Sequence, residues 1–186
     1  MKPWLALTLL LWALPLSALE VAGVKLADKA KVGASELVLN GAGIRTRAIF
    51  KVYVGALYLA EKASAAAEAL AQKGAKRVSL TLLRDLSAQQ LTEALDDGMR
   101  ANSSAAEIEA MKSRMAELLS LFTDGKKGDA IALDFLPESG TSVILNAQAK
   151  GKPIPGDDFY RALLRIWLGD KPVDGDLKKG MLGQSL

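Results

Sequence analysis

The chain of 186 residues contains no cysteine and no histidine. Without cysteine there is no disulfide, no thiolate nucleophile and no lipid-modified N-terminal cysteine. Without histidine there is no Ser-His or Cys-His catalysis, no imidazole-ligated zinc and no near-neutral general base of the usual kind. Aromatic residues are scarce at 5%, and no basic run is interleaved with them, so the pattern of a nucleic-acid-binding protein is missing. Paired carboxylates occur only as Asp96-Asp97 and Asp157-Asp158. A metal or acid/base site needs convergent carboxylates from separate segments, and the pattern offers none. Asp96-Asp97 fits a solvated helix face, and Asp157 fits a cap for a helix starting near Phe159. No metal and no cofactor are expected.

Half of the residues are hydrophobic, enough for one domain with a core. The first 18 residues have the pattern of a secretory signal. Lys2 is the positive n-region, Trp4 to Leu16 the apolar h-region, and Ser17-Ala18 the small residues before a cut ahead of Leu19. Removal leaves 23 basic against 21 acidic residues, a net of +2. No later stretch has the length of a membrane span. The expected product is a periplasmic or secreted domain over residues 19–186, with no stable membrane span after signal removal.

Periodicity outlines the elements. Val21 to Leu26 is a strand candidate, and Glu36 to Leu39 leads into a longer apolar stretch. Ser64 to Lys73 is an alanine-rich helix closed by Gly74. Val78, Leu80 and Leu82 alternate as a half-buried strand. Ser87 with Gln90, then Ser104 with Glu107, make capping boxes for two helices. The second carries Ile108, Met111, Met115, Leu118, Leu119 and Phe122 on one stripe, a pattern of plain packing. Asp129 to Phe135 and Ser142 to Ala147 alternate as strands. Phe159 to Leu168 is a helix closed by Gly169, with Trp167 as a core anchor, and Asp174 caps a last short helix. The whole reads as α+β with a largely antiparallel sheet.

The stretch NGAGIRTRAIFKVYVGALYL, Asn40 to Leu59, is almost wholly apolar yet carries Arg45, Arg47, Lys51, Tyr53 and Tyr58. Alternation places Val52, Val54, Ala56 and Tyr58 on one face of a strand and Tyr53, Gly55, Leu57 and Leu59 on the other. Both faces are apolar, so the strand is expected to be covered on both sides. An antiparallel hairpin centred on Ile49 would set Arg45 directly opposite Tyr53. An arginine entering such a strand needs a partner, because a lone buried charge is costly. Two readings meet that need: an anionic ligand, or a surface carboxylate with Tyr53 as a core aromatic. The glycines of GAGIR lack a following helix and a phosphate-loop lysine, so they mark a strand bend or bulge and not a nucleotide loop. Arg84-Asp85 ends a strand, where an ion pair at a cleft edge would fit.

This stretch, the C-terminal IWLGDKPVDGDLKKGMLG and the intervening SLTLLRDLSAQQL and KKGDAIALDFLP resemble, in that order, the chalcone isomerase-like family and its secreted bacterial branch. The resemblance covers essentially the whole mature chain. It implies an open-faced β-sandwich of chalcone isomerase type, with a large antiparallel sheet and helices packed on one face around an apolar cleft. The family includes plant isomerases that close a chalcone to a flavanone and non-catalytic members that bind fatty acids. Both use an arginine that matches Arg45, for the substrate's anionic oxygen or for a carboxylate. Tyr53 matches a tyrosine of the fatty-acid binders, where the isomerases have threonine. The catalytic tyrosine of the isomerases falls at Leu91, their asparagine near Gly98 and their late threonine at Ile166.

The resemblance therefore implies a ligand site of Arg45, Tyr53, Leu91 and Ile166 for a small hydrophobic carboxylate, such as a fatty acid, or a phenolic ligand. No catalytic residue is expected, unless the chain is an intramolecular lyase acting through Arg45 alone. A third reading is an envelope interaction protein, whose sign would be a large exposed apolar patch away from the cleft. Arg47, nearer the turn, is expected to be more solvated than Arg45.

Overall fold

Two-residue turns join three of the six neighbouring strand pairs of the sheet. In the computed structural model, which describes residues 19–184, Val32 pairs with Ser35 across Gly33-Ala34 and Leu145 with Gln148 across Asn146-Ala147. Gly33, Asn146 and Ala147 take positive φ, as tight hairpin turns require. The expected leader, residues 1–18, lies outside the described residues.

The strands are β1 (Leu19–Val21), β2 (Val24–Leu26), β3 (Lys29–Val32), β4 (Ser35–Arg47), β5 (Phe50–Leu59), β6 (Lys76–Leu82), β7 (Ala130–Leu136), β8 (Gly140–Leu145) and β9 (Gln148–Ile154). Strands β3 to β9 form one antiparallel sheet in sequence order, and β1 and β2 form a separate hairpin. The expected strand Val21 to Leu26 is thus broken by a turn at Ala22-Gly23, both with positive φ. The later strands shift by a residue or two from the alternation, and β9 has no alternating pattern because it lies mostly exposed at the sheet edge.

The helices are α1 (Ala66–Ala71), α2 (Ala88–Ala101), α3 (Ala105–Ser120), α4 (Asp157–Leu168) and α5 (Gly175–Met181). Both capping boxes form as expected, at Ser87 with Gln90 and Ser104 with Glu107. Helix α1 is shorter than the expected Ser64 to Lys73, since Ser64 makes no cap and the turn ends at Gln72. Asp157 does not cap α4. The N-cap is Gly156, and Asp157 is the first helical residue, bonded to Arg161 at 2.8 Å.

The helices supply one core with the inner face of the sheet, where Leu57, Val78, Leu80, Leu133 and Phe135 meet Met99, Met111, Met115, Leu118, Phe159 and Trp167. A smaller cluster on the outer face joins Val54, Ala56 and Tyr58 to Leu37, Leu39 and Leu26 of the N-terminal hairpin region. Strand β5 is covered on both sides, as its sequence demands. Val52 departs from simple alternation. Arg45 pairs with Tyr53 but Thr46 with Lys51, so Val52 is the extra residue of a β-bulge and joins the Tyr53 face.

A second bulge leaves Asn40 unpaired between Leu39 and Gly41. Its side-chain amide donates to Ala63 O and Met181 O and accepts from Ala63 N, all within 2.9 Å. Helix α5 then lies directly on the sheet backbone. A Cβ at Gly41 would collide with Gly180 O, and one at Gly43 would stand 3.2 Å from Leu177 Cα. The GAGIR glycines therefore serve close helix approach beside a bulge.

Candidate functional site

The inner face is not filled at the end of the β4–β5 hairpin. A cavity of about 280 Å³ opens there between the hairpin, β6, β7, α2 and α4. Its inner walls are Val52, Tyr53, Leu80, Leu91, Leu95, Phe122, Ile131, Leu133, Ile166 and Trp167, all buried. The exposed lining residues Arg47, Ala48, Phe50, Arg84 and Gln90 make its mouth. Among the described residues no carboxylate side chain lines it.

Arg45 and Tyr53 face each other across the β4–β5 pair. The Arg45 guanidinium carbon lies 5.6 Å from the Tyr53 ring centre, within cation–π range. Arg45 is half-buried, and its Nε is fully buried with no hydrogen-bond partner. Among the described residues Arg45 makes no ion pair. Among the described residues two other buried side-chain polar atoms lack partners, Thr141 Oγ1 and Arg165 Nε, but neither residue borders this cavity. A surface carboxylate partner for Arg45 is therefore not what the structure contains.

The Tyr53 hydroxyl accepts a 2.9 Å hydrogen bond from Trp167 Nε1. Its own proton remains free to donate, since a phenol both donates and accepts. Burial pushes the Tyr53 hydroxyl above its ordinary value of 10, against the opposing influence of Arg45 and the Trp167 bond. The phenol is neutral throughout the physiological range. The site thus presents a cation and a neutral O–H donor at one end of an apolar hollow.

Two neighbours hold this pair in place. Asp174 caps α5 through bonds from Asp176 N and Leu177 N, and its other oxygen accepts from Thr46 N at 2.9 Å. That clamp fixes the backbone next to Arg45. Trp167 fixes Tyr53 from α4, so it is both the expected core anchor and a positioning group; no local pattern announces a contact across 114 residues.

Leu91 and Ile166 both line the cavity. Gly98 does not line it. A Cβ there would meet Ile166 Cγ2 at 2.8 Å, because α2 and α4 cross at that glycine. Gln90 reaches the mouth, but its carbonyl oxygen accepts from Ser87 N in the capping box. Arg47 is exposed, as expected, yet sits at the mouth. Arg84 stacks over the Phe50 ring at 5.0 Å and does not pair with Asp85, which bonds Lys126 at 3.1 Å. Asp96 pairs with Arg100 on the outside of α2.

The family model for chalcone isomerase-like proteins matches residues 18–183. None of the curated protein sequences compared with the chain matches it. The solved structures include a similar one, a fatty-acid binding protein of Arabidopsis thaliana, with a TM-score of 0.66 at 14% identity. That match covers 89% of this chain and 96% of the plant protein. The likeness extends to the fold, a curled seven-stranded antiparallel sheet carrying its helices on one face. With the family model matched over almost its whole length, the chain belongs to the chalcone isomerase-like family.

Proposed function

We propose that this protein is a non-catalytic binder of a small apolar carboxylate, such as a fatty acid, held in the cavity between sheet and helices. The observation that carries the reading is the buried, partnerless Nε of Arg45 at one end of an apolar hollow. A carboxylate placed there accepts a charge-assisted bond from Arg45 and a neutral one from Tyr53. The tail lies against Leu91, Leu95, Phe122 and Ile166. The plant neighbour is named as a fatty-acid binding protein, which supports the ligand class.

The volume narrows the class further. About 280 Å³ falls just below the roughly 300–1,000 Å³ typical of ligand pockets. Medium-chain acids fit within it, and longer tails must protrude past Phe50 and Arg84. Affinity should rise by about 0.8 kcal/mol per methylene while the tail is enclosed, then level off. Delipidated protein titrated with octanoate, decanoate, laurate and stearate tests this by calorimetry. Absence of saturable binding, or binding untouched by Arg45→Ala, refutes the reading.

The alternative, an intramolecular lyase closing a chalcone to a flavanone, has less support from the walls. The positions that would carry its polar groups are Leu91, Gly98 and Ile166, and Ile166 fills the space beside Gly98. Stereoselective flavanone formation from naringenin chalcone, abolished by Arg45→Ala, would favour the lyase. For localisation we propose export, on the leader pattern of residues 1–18. N-terminal sequencing of the mature protein should then begin at or near Leu19.

A further inference from the structure

Ile49 is 86% exposed and Phe50 54% exposed at the tip of the β4–β5 hairpin. Among the described residues Leu19 is the only other exposed large hydrophobic side chain. The tip is ringed by Arg47, Lys51 and Arg84, all exposed and none in an ion pair among the described residues. Two acids beside these residues in the structure are already engaged. Asp174 accepts from Thr46 N and caps α5, and Asp85 bonds Lys126 and Lys127 N. An apolar point inside a ring of uncompensated cations is the surface that an anionic bilayer complements: the point enters the acyl boundary and the cations meet the headgroups. The same tip carries the mouth of the cavity, through Arg47, Ala48, Phe50 and Arg84.

We propose that the β4–β5 hairpin tip docks on an anionic lipid surface, inserting Ile49 and Phe50 and setting Arg47, Lys51 and Arg84 among the headgroups, so that the cavity mouth opens onto the lipid. An acidic protein partner would also meet the cations, but an isolated two-residue apolar point offers little area for a stable protein interface, which takes roughly 800 Å² per partner. Docking does not depend on what the cavity holds, so a failure of the ligand assignment leaves it standing.

The test is flotation of the purified protein with vesicles of phosphatidylcholine, with and without phosphatidylglycerol, at low and high salt. Two variants lie outside the cavity lining, Ile49→Asp and Lys51→Gln. The expected result is binding to the phosphatidylglycerol vesicles that weakens with salt. Ile49→Asp should lower partition by more than tenfold, and Lys51→Gln by about fivefold, the equivalent of roughly 1 kcal/mol per basic residue at such a surface. Both should keep the parent melting temperature and laurate affinity. No vesicle binding, binding indifferent to lipid charge, or an Ile49→Asp protein that binds as the parent does would overturn the proposal. So would a self-association, seen by analytical ultracentrifugation, that Ile49→Asp abolishes while vesicles bind nothing.

Discussion

Two arginines enter the same sheet and are treated in opposite ways. Arg77 on β6 stands directly across from Asp134 on β7 and bonds it through two nitrogens, at 2.5 and 2.6 Å. Its pKa is raised, chiefly by that bonded carboxylate. Arg45 on β4 stands directly across from Tyr53 and, among the described residues, makes no ion pair with a carboxylate. Arg77 faces outward beside Tyr58 and closes its own electrostatics; Arg45 faces the cavity and leaves its electrostatics open. A self-satisfied charge stabilises the fold, whereas an open one stands ready for something that is not part of the chain.

The comparison breaks most visibly in stability. Arg77→Ala leaves Asp134, only 6% exposed, as a buried charge without its partner, and should cost about 3 kcal/mol in urea unfolding, at the low end for such pairs. Arg45→Ala should leave unfolding within about 0.5 kcal/mol of the parent, as expected where no structural bond is lost. If the two variants are equally destabilised, Arg45 is structural and the contrast fails.

Ligand affinity should invert the order. Arg45→Ala should weaken laurate binding by more than tenfold, since a charged partner in a desolvated site is worth about 1.5–3 kcal/mol. Arg47→Ala should change it by less than about threefold, in line with an exposed charge, and Arg77→Ala should not change it. Calorimetric titration of the three variants ranks them directly.

Tyr53→Phe sharpens the same contrast with a neutral group. It leaves Trp167 Nε1 without its acceptor and should cost about 1 to 2 kcal/mol of stability. It should also weaken the carboxylate modestly, by less than Arg45→Ala does.

The smallest effect concerns an ordinary surface pair. Glu107 accepts from Ser104 N and from Arg165, and these bonds lower its pKa from 4.5 to about 2. A carboxyl depressed in the folded state stabilises above its unfolded value, and that stability drains away as pH falls from 4.5 towards 2. Glu107 is too exposed for a large contribution, so well under 1 kcal/mol is expected. Glu107→Gln should flatten that acid limb in pH-dependent melting while leaving the neutral melting temperature nearly unchanged.

The Arg45–Tyr53 pairing was legible because hairpin arithmetic needs only a turn position, and a two-residue turn plus one bulge gives the same partners as a turn centred on Ile49. The side of Val52 was not legible, because a bulge leaves no mark in hydropathy. Leu91 and Ile166 emerged as cavity walls only through family resemblance; their local pattern is that of any buried helix residue. The Trp167 bond to Tyr53 and the Asp174 clamp on Thr46 were illegible, since each joins segments more than 100 residues apart. Asp157 misled because an acidic residue ahead of a helix is a common cap, yet Gly156, with φ of 110°, takes that place.

The glycine bed beneath α5 has a consequence in time. Gly180 and Gly183 lie on Gly41 and Leu177 lies on Gly43 and Gly55, and Asn40 joins Met181 across 141 residues. The inner face of the chain's most apolar hairpin therefore acquires its lid only after nearly the whole chain is available. Until then it is a bare, sticky ribbon of the kind that aggregates, and any chaperone that accompanies this protein has that ribbon to hold.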